Sequence, residues 1–204
     1  ARLGFGWSKT TVSSEREADQ VLVERVQRGD KKAFDLLVLK YQQKVANLIS
    51  RYIRDQSEVL DVTQEAFIKA YRALPKFRGD SAFYTWLYRV AINTAKNHLA
   101  AQARRPPGDD IEADTAEQMD MGAQLKETAT PERMALQGEI AQTIQTALDE
   151  LPDDLRTAIT LRELEGLTYE EIAQAMECPI GTVRSRIFRA REAIDIKLKP
   201  LMAP

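Results

Sequence analysis

Between Tyr169 and Ile194 the apolar positions follow a helical period that is broken once. Ile172, Ala173 and Met176 share one face at helical spacing. Pro179 then forbids simple continuation, and Gly181-Thr182 offers a flexible residue followed by a good N-cap. Beyond it Val183, Ile187, Ala190 and Ile194 fall into one stripe on a wheel of about 100° per residue. The pattern predicts a helix over 169–176, a tight turn, and a second helix starting after Thr182. On the far side of that second helix lie Ser185, Phe188 and Arg189, with Arg184 on their shoulder and Arg186 and Arg191 at the flanks.

The same period organises the N-terminal half. Glu17 to Arg28 is stopped by Gly29-Asp30, which also starts the next helix. Lys31 to Arg54 carries Phe34, Leu37, Val38, Tyr41, Val45, Leu48, Ile49 and Tyr52 at helical spacing. Ser57 to Leu74 ends at Pro75, a loop spans 75–80, and a last helix runs from Ser81 to about Ala103. Nothing alternates with the period of a strand. The expected fold class is all-α.

Two of these helices have polar faces that packing does not explain. In the third, Ala66, Phe67, Ala70, Tyr71 and Leu74 form the apolar side, and Asp61, Gln64, Glu65, Lys69 and Arg72 gather opposite. Ile68 sits among those charges, a pattern that fits a partner surface or an ordinary isolated apolar residue. In the last helix of this half, Phe83, Leu87, Val90, Thr94 and His98 form a buried stripe, broadened by Tyr84, Tyr88, Ala95 and Leu99. Tyr84 and Tyr88 read as core. The narrow polar side holds Arg89, Asn93 and Lys96, bordered by Trp86. Cations for a backbone, an amide for a base edge and an indole for stacking suit single-stranded nucleic acid.

Charge divides the chain. Residues 15–105 hold seventeen basic and eleven acidic side chains, a net +6. Residues 106–132 begin Pro-Pro-Gly-Asp-Asp and set eight acids against one lysine, so they form a flexible acidic linker that cannot bury a core. Residues 133–180 carry three basic and ten acidic side chains, whereas 181–204 carry six basic against two acidic. Positive charge is thus confined, in the second half, to the arginine helix. With a net charge of −2 for the whole chain, phosphate contacts alone give weak binding.

The division predicts a folded unit over 15–105, the linker over 106–132 and a second unit over 133–204. Residues 1–14 lack the long apolar core of a signal peptide and read as an extension that is disordered or foreign to the native chain. The single cysteine, Cys178, excludes an internal disulfide and argues for a reducing compartment. With one histidine, the chain offers no His/Cys metal cluster. It shows neither a phosphate loop nor a nucleophile beside a base, so an enzyme is the weakest choice and neither metal nor cofactor is expected.

A helix, a turn and a second helix with exposed arginines near its N-terminus form the layout of a helix-turn-helix whose second helix enters the DNA major groove. Arginine's planar fork matches two guanine acceptors, worth roughly 1–3 kcal/mol of discrimination. The flanking arginines suit phosphates, which position without specifying.

Four separated runs now resemble one family: Arg28-Gly29-Asp30 with Ala33-Phe34; Asp61 to Ala70; Phe77 to Leu87; and Gly181 to Arg186. They are similar to the bacterial extracytoplasmic-function sigma factors, of the envelope-stress sigma-E type. The likeness spans about residues 17–200. It implies a sigma-2 domain that docks on core RNA polymerase through Asp61, Gln64, Glu65 and Ile68. It implies capture of single-stranded minus-10 DNA by Phe77, Arg78, Trp86, Arg89, Asn93 and Lys96, with Asn93 at a flipped base. A sigma-4 domain would read the minus-35 duplex with Thr182, Arg184, Ser185, Arg186, Phe188 and Arg189, and the linker would thread the polymerase channel. The family resemblance further implies a cytoplasmic protein without catalytic residues or a small-molecule ligand, held inactive by a membrane-anchored anti-sigma factor. Two rivals stand beside it: a stand-alone helix-turn-helix regulator, which binds duplex DNA without polymerase, and a polymerase-docking adaptor whose basic helix contacts protein.

Overall fold

The computed structural model describes the backbone of residues 9–104 and 131–202, with side chains over 15–104 and 138–201. The acidic stretch 106–132 lies outside the described residues, save that Pro131 and Glu132 already belong to a helix. Residues 1–8 lie outside them too. Everything regular among the described residues is helical.

The first block comprises α1 (Lys9–Gln27), α2 (Lys31–Ile49), α3 (Gln56–Ala73), a 3-10 turn (Leu74–Lys76) and α4 (Phe83–Gln102). α1 begins at Lys9 rather than Glu17, because no glycine or proline interrupts the run before Gln27. Residues 9–14, expected outside the folded part, are therefore helical. α1 and α2 are separated where the sequence indicates. Gly29 takes φ 98°, and Asp30 caps α2 by accepting from the amides of Lys32 and Ala33. α2 stops at Ile49 rather than Arg54. Asp55, in extended conformation, caps α3 by accepting from Glu58 N at 2.9 Å, so the chain must leave the helix before it.

Leu37, Val45, Ile49, Ala66, Ala70, Leu74, Leu87, Ala91 and Ala95 are fully buried, placing one face of α2, α3 and α4 in a shared core. A second block comprises α5 (Pro131–Glu150), α6 (Asp153–Glu163), α7 (Tyr169–Met176) and α8 (Ile180–Met202). Its core is built by Ala158, Leu161, Leu167, Ile172, Ala175, Val183, Ile187 and Ala190. The buried side chains of both blocks join in one continuous cluster, with α7 packed on α4.

Arg156 knits this arrangement. Buried at the start of α6, its guanidinium donates to the carbonyls of Leu148 (2.8 Å), Asp149 (2.7 Å) and Leu151 (2.7 Å) at the end of α5. It also reaches Arg51 O in the first block at 2.8 Å. No described helix is long and apolar enough to cross a membrane.

Candidate nucleic-acid interface

α7 and α8 form the helix-turn-helix. A capping box starts α7: Glu171 N donates to the Thr168 hydroxyl, and the Glu171 carboxylate accepts from Thr168 N at 2.9 Å. The turn itself differs from expectation. Its left-handed residue is Glu177 (φ 50°), not a glycine, and Gly181-Thr182 lies inside the first turn of α8. α8 opens instead on the Pro179 carbonyl, which accepts from Thr182 N (2.9 Å) and Val183 N (3.2 Å). Proline has no amide of its own to satisfy there, and the chain enters the helix three residues before the threonine.

The predicted stripe of α8 faces inward: Val183, Ile187 and Ala190 are buried and Ile194 is half-buried. Arg184, Ser185 and Arg189 are exposed opposite, beside Phe188, which is 67% exposed. A single exposed ring is ordinary on a protein surface, and here it stands within an arginine and serine face. Arg186 does not join that open face. It turns back onto α6, with Nη2 2.6 Å from Asp154 Oδ2 and Nη1 3.4 Å from Cys178 Sγ. Arg191 likewise pairs with Glu163 at 2.6 Å.

On the first block, the loop after the 3-10 turn folds against the N-terminal half of α4. The Gln27 amide holds it from α1, donating to Leu74 O (3.1 Å) and Phe77 O (2.9 Å), and Gly79 supplies a positive φ of 76°. Phe77 packs on Trp86 with ring centroids 5.1 Å apart, and Trp86 lies 5.9 Å from Phe83. Around them Lys76, Phe77, Arg78, Asp80, Ser81, Trp86 and Arg89 line a hollow of about 270 Å³. Phe77, Arg78, Trp86 and Arg89 are thus brought together. Asn93 and Lys96 stand one and two turns further along the same face of α4, both exposed.

A neighbouring hollow of about 220 Å³ is lined by Thr85, Trp86 and Arg89 of α4, and by Gln174 of α7. Thr85 was not singled out in the sequence, although it precedes Arg89 by one turn, at the same spacing as Arg89 and Asn93. It is 1% exposed and its hydroxyl has no hydrogen-bond partner.

On α3, Asp61, Gln64 and Glu65 are exposed and Ile68 is 51% exposed. Leu60 is exposed on this helix as well. Tyr71, expected on the apolar side, is also exposed, its ring 4.9 Å from that of Phe34. α2 adds exposed Leu36 and Leu39, which the periodicity left unremarked. His98, expected in a buried stripe, is half-buried with Nε2 3.4 Å from Glu58 Oε2.

Acids of the second block meet the polar side of α4, although Asn93 and Lys96 keep part of their surface in water. Asn93 Nδ2 donates to Glu177 Oε2 at 2.9 Å, and Lys96 Nζ to Asp154 Oδ1 at 3.2 Å. Tyr84 and Tyr88, read as core, bury their rings but point their hydroxyls at the same acidic surface. Tyr84 donates to Glu171 at 2.5 Å, and Arg16 pairs with that carboxylate. Tyr88 donates to Glu165 at 2.8 Å, and Lys44 approaches Glu165 at 3.2 Å. Burial and then the Glu171 carboxylate push the Tyr84 phenol up to about 12; burial and Glu165 push that of Tyr88 up as well.

Comparison with known proteins places the chain. Residues 37–105 match the model "Sigma-70 region 2", and residues 141–194 match "Sigma-70, region 4". The chain is 65% identical to the RNA polymerase sigma-H factor of Pseudomonas aeruginosa, over 92% of its own length and 97% of that protein's. It is 64% identical to the ECF RNA polymerase sigma-E factor of Escherichia coli K12, over 93% and 98%. Among solved structures it resembles the sigma factor RpoE of Bartonella quintana, crystallised with the anti-sigma factor NepR. The TM-score there is 0.63 at 23% identity, covering 82% of this chain and 98% of that one, a likeness of fold.

Proposed function

This chain belongs to the extracytoplasmic-function sigma factors, the subunits that give bacterial RNA polymerase its promoter specificity, and on that premise we propose how its residues divide the work. The observation that carries the division is the open face of α8, where Arg184, Ser185, Phe188 and Arg189 stand clear of a fully buried opposite stripe. That face reads the minus-35 duplex. Arg184 and Arg189 hydrogen-bond base edges, Ser185 serves either strand, and Phe188 contacts a thymine methyl or a sugar. Thr182, in the first turn, and Arg186, anchored by Asp154, sit at its margin and position the helix on the backbone.

The first block captures the minus-10 element once it is single-stranded. Trp86 and Phe77 provide stacking surfaces, Arg78, Arg89 and Lys96 meet phosphates, and the Asn93 amide reads an unstacked base. Holding that strand stabilises the melted state, so opening of the duplex is driven by binding. Asp61, Gln64, Glu65 and Ile68 form the docking surface for core polymerase, an apolar contact ringed by polar groups. The acidic stretch 106–132 spans between the two readers inside the polymerase. Two weak readers fixed at one spacing gain affinity through effective concentration, which fits a chain whose net charge is −2. The protein itself holds no catalytic residue. It works in the cytoplasm and is restrained by an anti-sigma factor anchored in the inner membrane.

Run-off transcription with purified core polymerase on a sigma-E-type promoter tests this, alongside gel shifts with the protein alone. Transcripts that require both components, with little binding by the free protein, are expected. Tight duplex binding by the protein alone, without initiation, overturns the reading in favour of a stand-alone regulator.

A further inference from the structure

The hollow beside Trp86 is built on a loop that the first block holds at few points. Residues 78–81 carry Arg78, Asp80 and Ser81 to its rim, and among the described residues they make no hydrogen bond to the rest of the fold. Order resumes where Trp86 N donates to Ala82 O at 3.1 Å. The course of the loop therefore depends on how the chain leaves the 3-10 turn at Phe77. The Phe77 ring lies 5.1 Å from that of Trp86 and 6.4 Å from that of Phe83.

That exit is clamped from α1. Gln27 Nε2 reaches the carbonyls at both ends of the turn, Leu74 O at 3.1 Å and Phe77 O at 2.9 Å. Leu74 O also accepts from Phe77 N at 3.0 Å. Both groups facing the Gln27 side chain are acceptors, so only a donor can serve them. The amide is held ready for this. Val23 and Val26 bury the last turns of α1, and Asp30, which caps α2, pairs with Arg25 at 2.7 Å. Asp19, buried on the same helix, accepts from Tyr41, whose ring is 5.7 Å from Phe83. The helix thus braces the aromatic set twice, through the backbone of the loop and through the ring beneath it. Gln27 itself is exposed and does not line the hollow.

We propose that Gln27 is a positioning residue for minus-10 capture. By fixing both ends of the 3-10 turn it sets the direction in which residues 77–81 leave. That keeps the Phe77 ring on Trp86 and Arg78 at the rim of the hollow before a strand arrives. The strand then meets a preformed surface instead of having to order the loop, a cost that would otherwise come out of its affinity.

This role rests on the assignment of the hollow to the minus-10 strand, and the test separates the two. Gln27→Met keeps the length and neutrality of the side chain and removes both donors. In a Trp7→Phe background, which leaves Trp86 as the only tryptophan, acrylamide should quench Trp86 more strongly in Gln27→Met while helical dichroism is unchanged. Gln27→Lys, which restores donors at a similar reach, should return quenching to the wild-type level. In holoenzyme assembled with core polymerase, Gln27→Met should weaken binding to a fluorescent promoter fork with a single-stranded minus-10 element about tenfold. Affinity for the minus-35 duplex alone should not change. Phe77→Ala should also weaken fork binding, and the double variant should be no weaker than Phe77→Ala, because Gln27 acts through Phe77. Additive losses, quenching that rises only with loss of helix, or unchanged fork binding in Gln27→Met overturns the positioning role and leaves the minus-10 assignment standing. Full fork binding by Phe77→Ala overturns the assignment itself.

Discussion

At the scale of single residues, the informative side chains are polar groups whose burial must be explained. Arg156 is 8% exposed and satisfies four carbonyls, three of them at the C-terminus of α5. Helix ends leave such acceptors orphaned, and one planar guanidinium serves several at once. Arg156→Met should therefore cost about 3–5 kcal/mol, since the acceptors remain buried and unpaired. Arg156→Lys should recover little, because a point charge cannot replace the fork. Urea midpoints at constant slope measure both. Thr85 presents the opposite case, a buried hydroxyl without a partner beside Trp86 and Arg89. Removing an unsatisfied group costs the fold nothing, so Thr85→Val should keep or raise the melting temperature. If the hydroxyl serves the captured strand, the same change should weaken minus-10 oligonucleotide binding about fivefold. A loss of stability with unchanged binding would remove Thr85 from the site.

At the scale of elements, local signals decide what a sequence discloses. The Gly29-Asp30 stop, the face of α3 with Ile68 and the inward stripe of α8 are all written in short-range periodicity and cap chemistry, and the structure contains each of them. The end of α2 was not legible, because Tyr52 and Ile53 keep helical spacing from Ile49 after the helix has ended, and only the Asp55 cap reveals the stop. The start of α8 departs from the local signal for a related reason: Thr182 is a better cap by type, yet Pro179 occupies the place where the chain turns. Cap strength remains a local quantity and is testable as one. Thr168 and Glu171 satisfy each other at the head of α7, an eight-residue helix too short to persist on propensity alone. Thr168→Ala should destabilise the protein by about 1 kcal/mol. Hydrogen-exchange protection of α7 should fall before that of α2. Equal loss across both helices would show that α7 does not fray independently.

At the scale of the whole molecule, the charge asymmetry of the two blocks was visible in the sequence, but the pairing of their residues was not. Which acid meets which donor depends on the docking of the two blocks, between positions up to 155 residues apart. That docking has a titratable signature. Tyr84 and Tyr88 each donate a phenolic proton to a carboxylate of the other block, and both phenols are raised above the ordinary value of 10.0, Tyr84 to about 12. A group whose pKa is raised in the folded form favours that form fully below its unfolded value, and the contribution is lost as pH climbs through the folded value. The docked arrangement should thus hold up to pH 10 and weaken between 10 and about 12, as a phenolate comes to face Glu171. Small-angle scattering should record an increase in radius of gyration while far-ultraviolet dichroism still reports helix, because the interface yields before the blocks themselves. Tyr84→Phe removes the ionising group and keeps the ring against α7. It should push the expansion to higher pH, toward the point at which the more deeply buried Tyr88 ionises. Expansion at an unchanged pH in that variant would mean that alkali acts elsewhere. Expansion coincident with loss of helix would mean that the two blocks unfold as one unit rather than part.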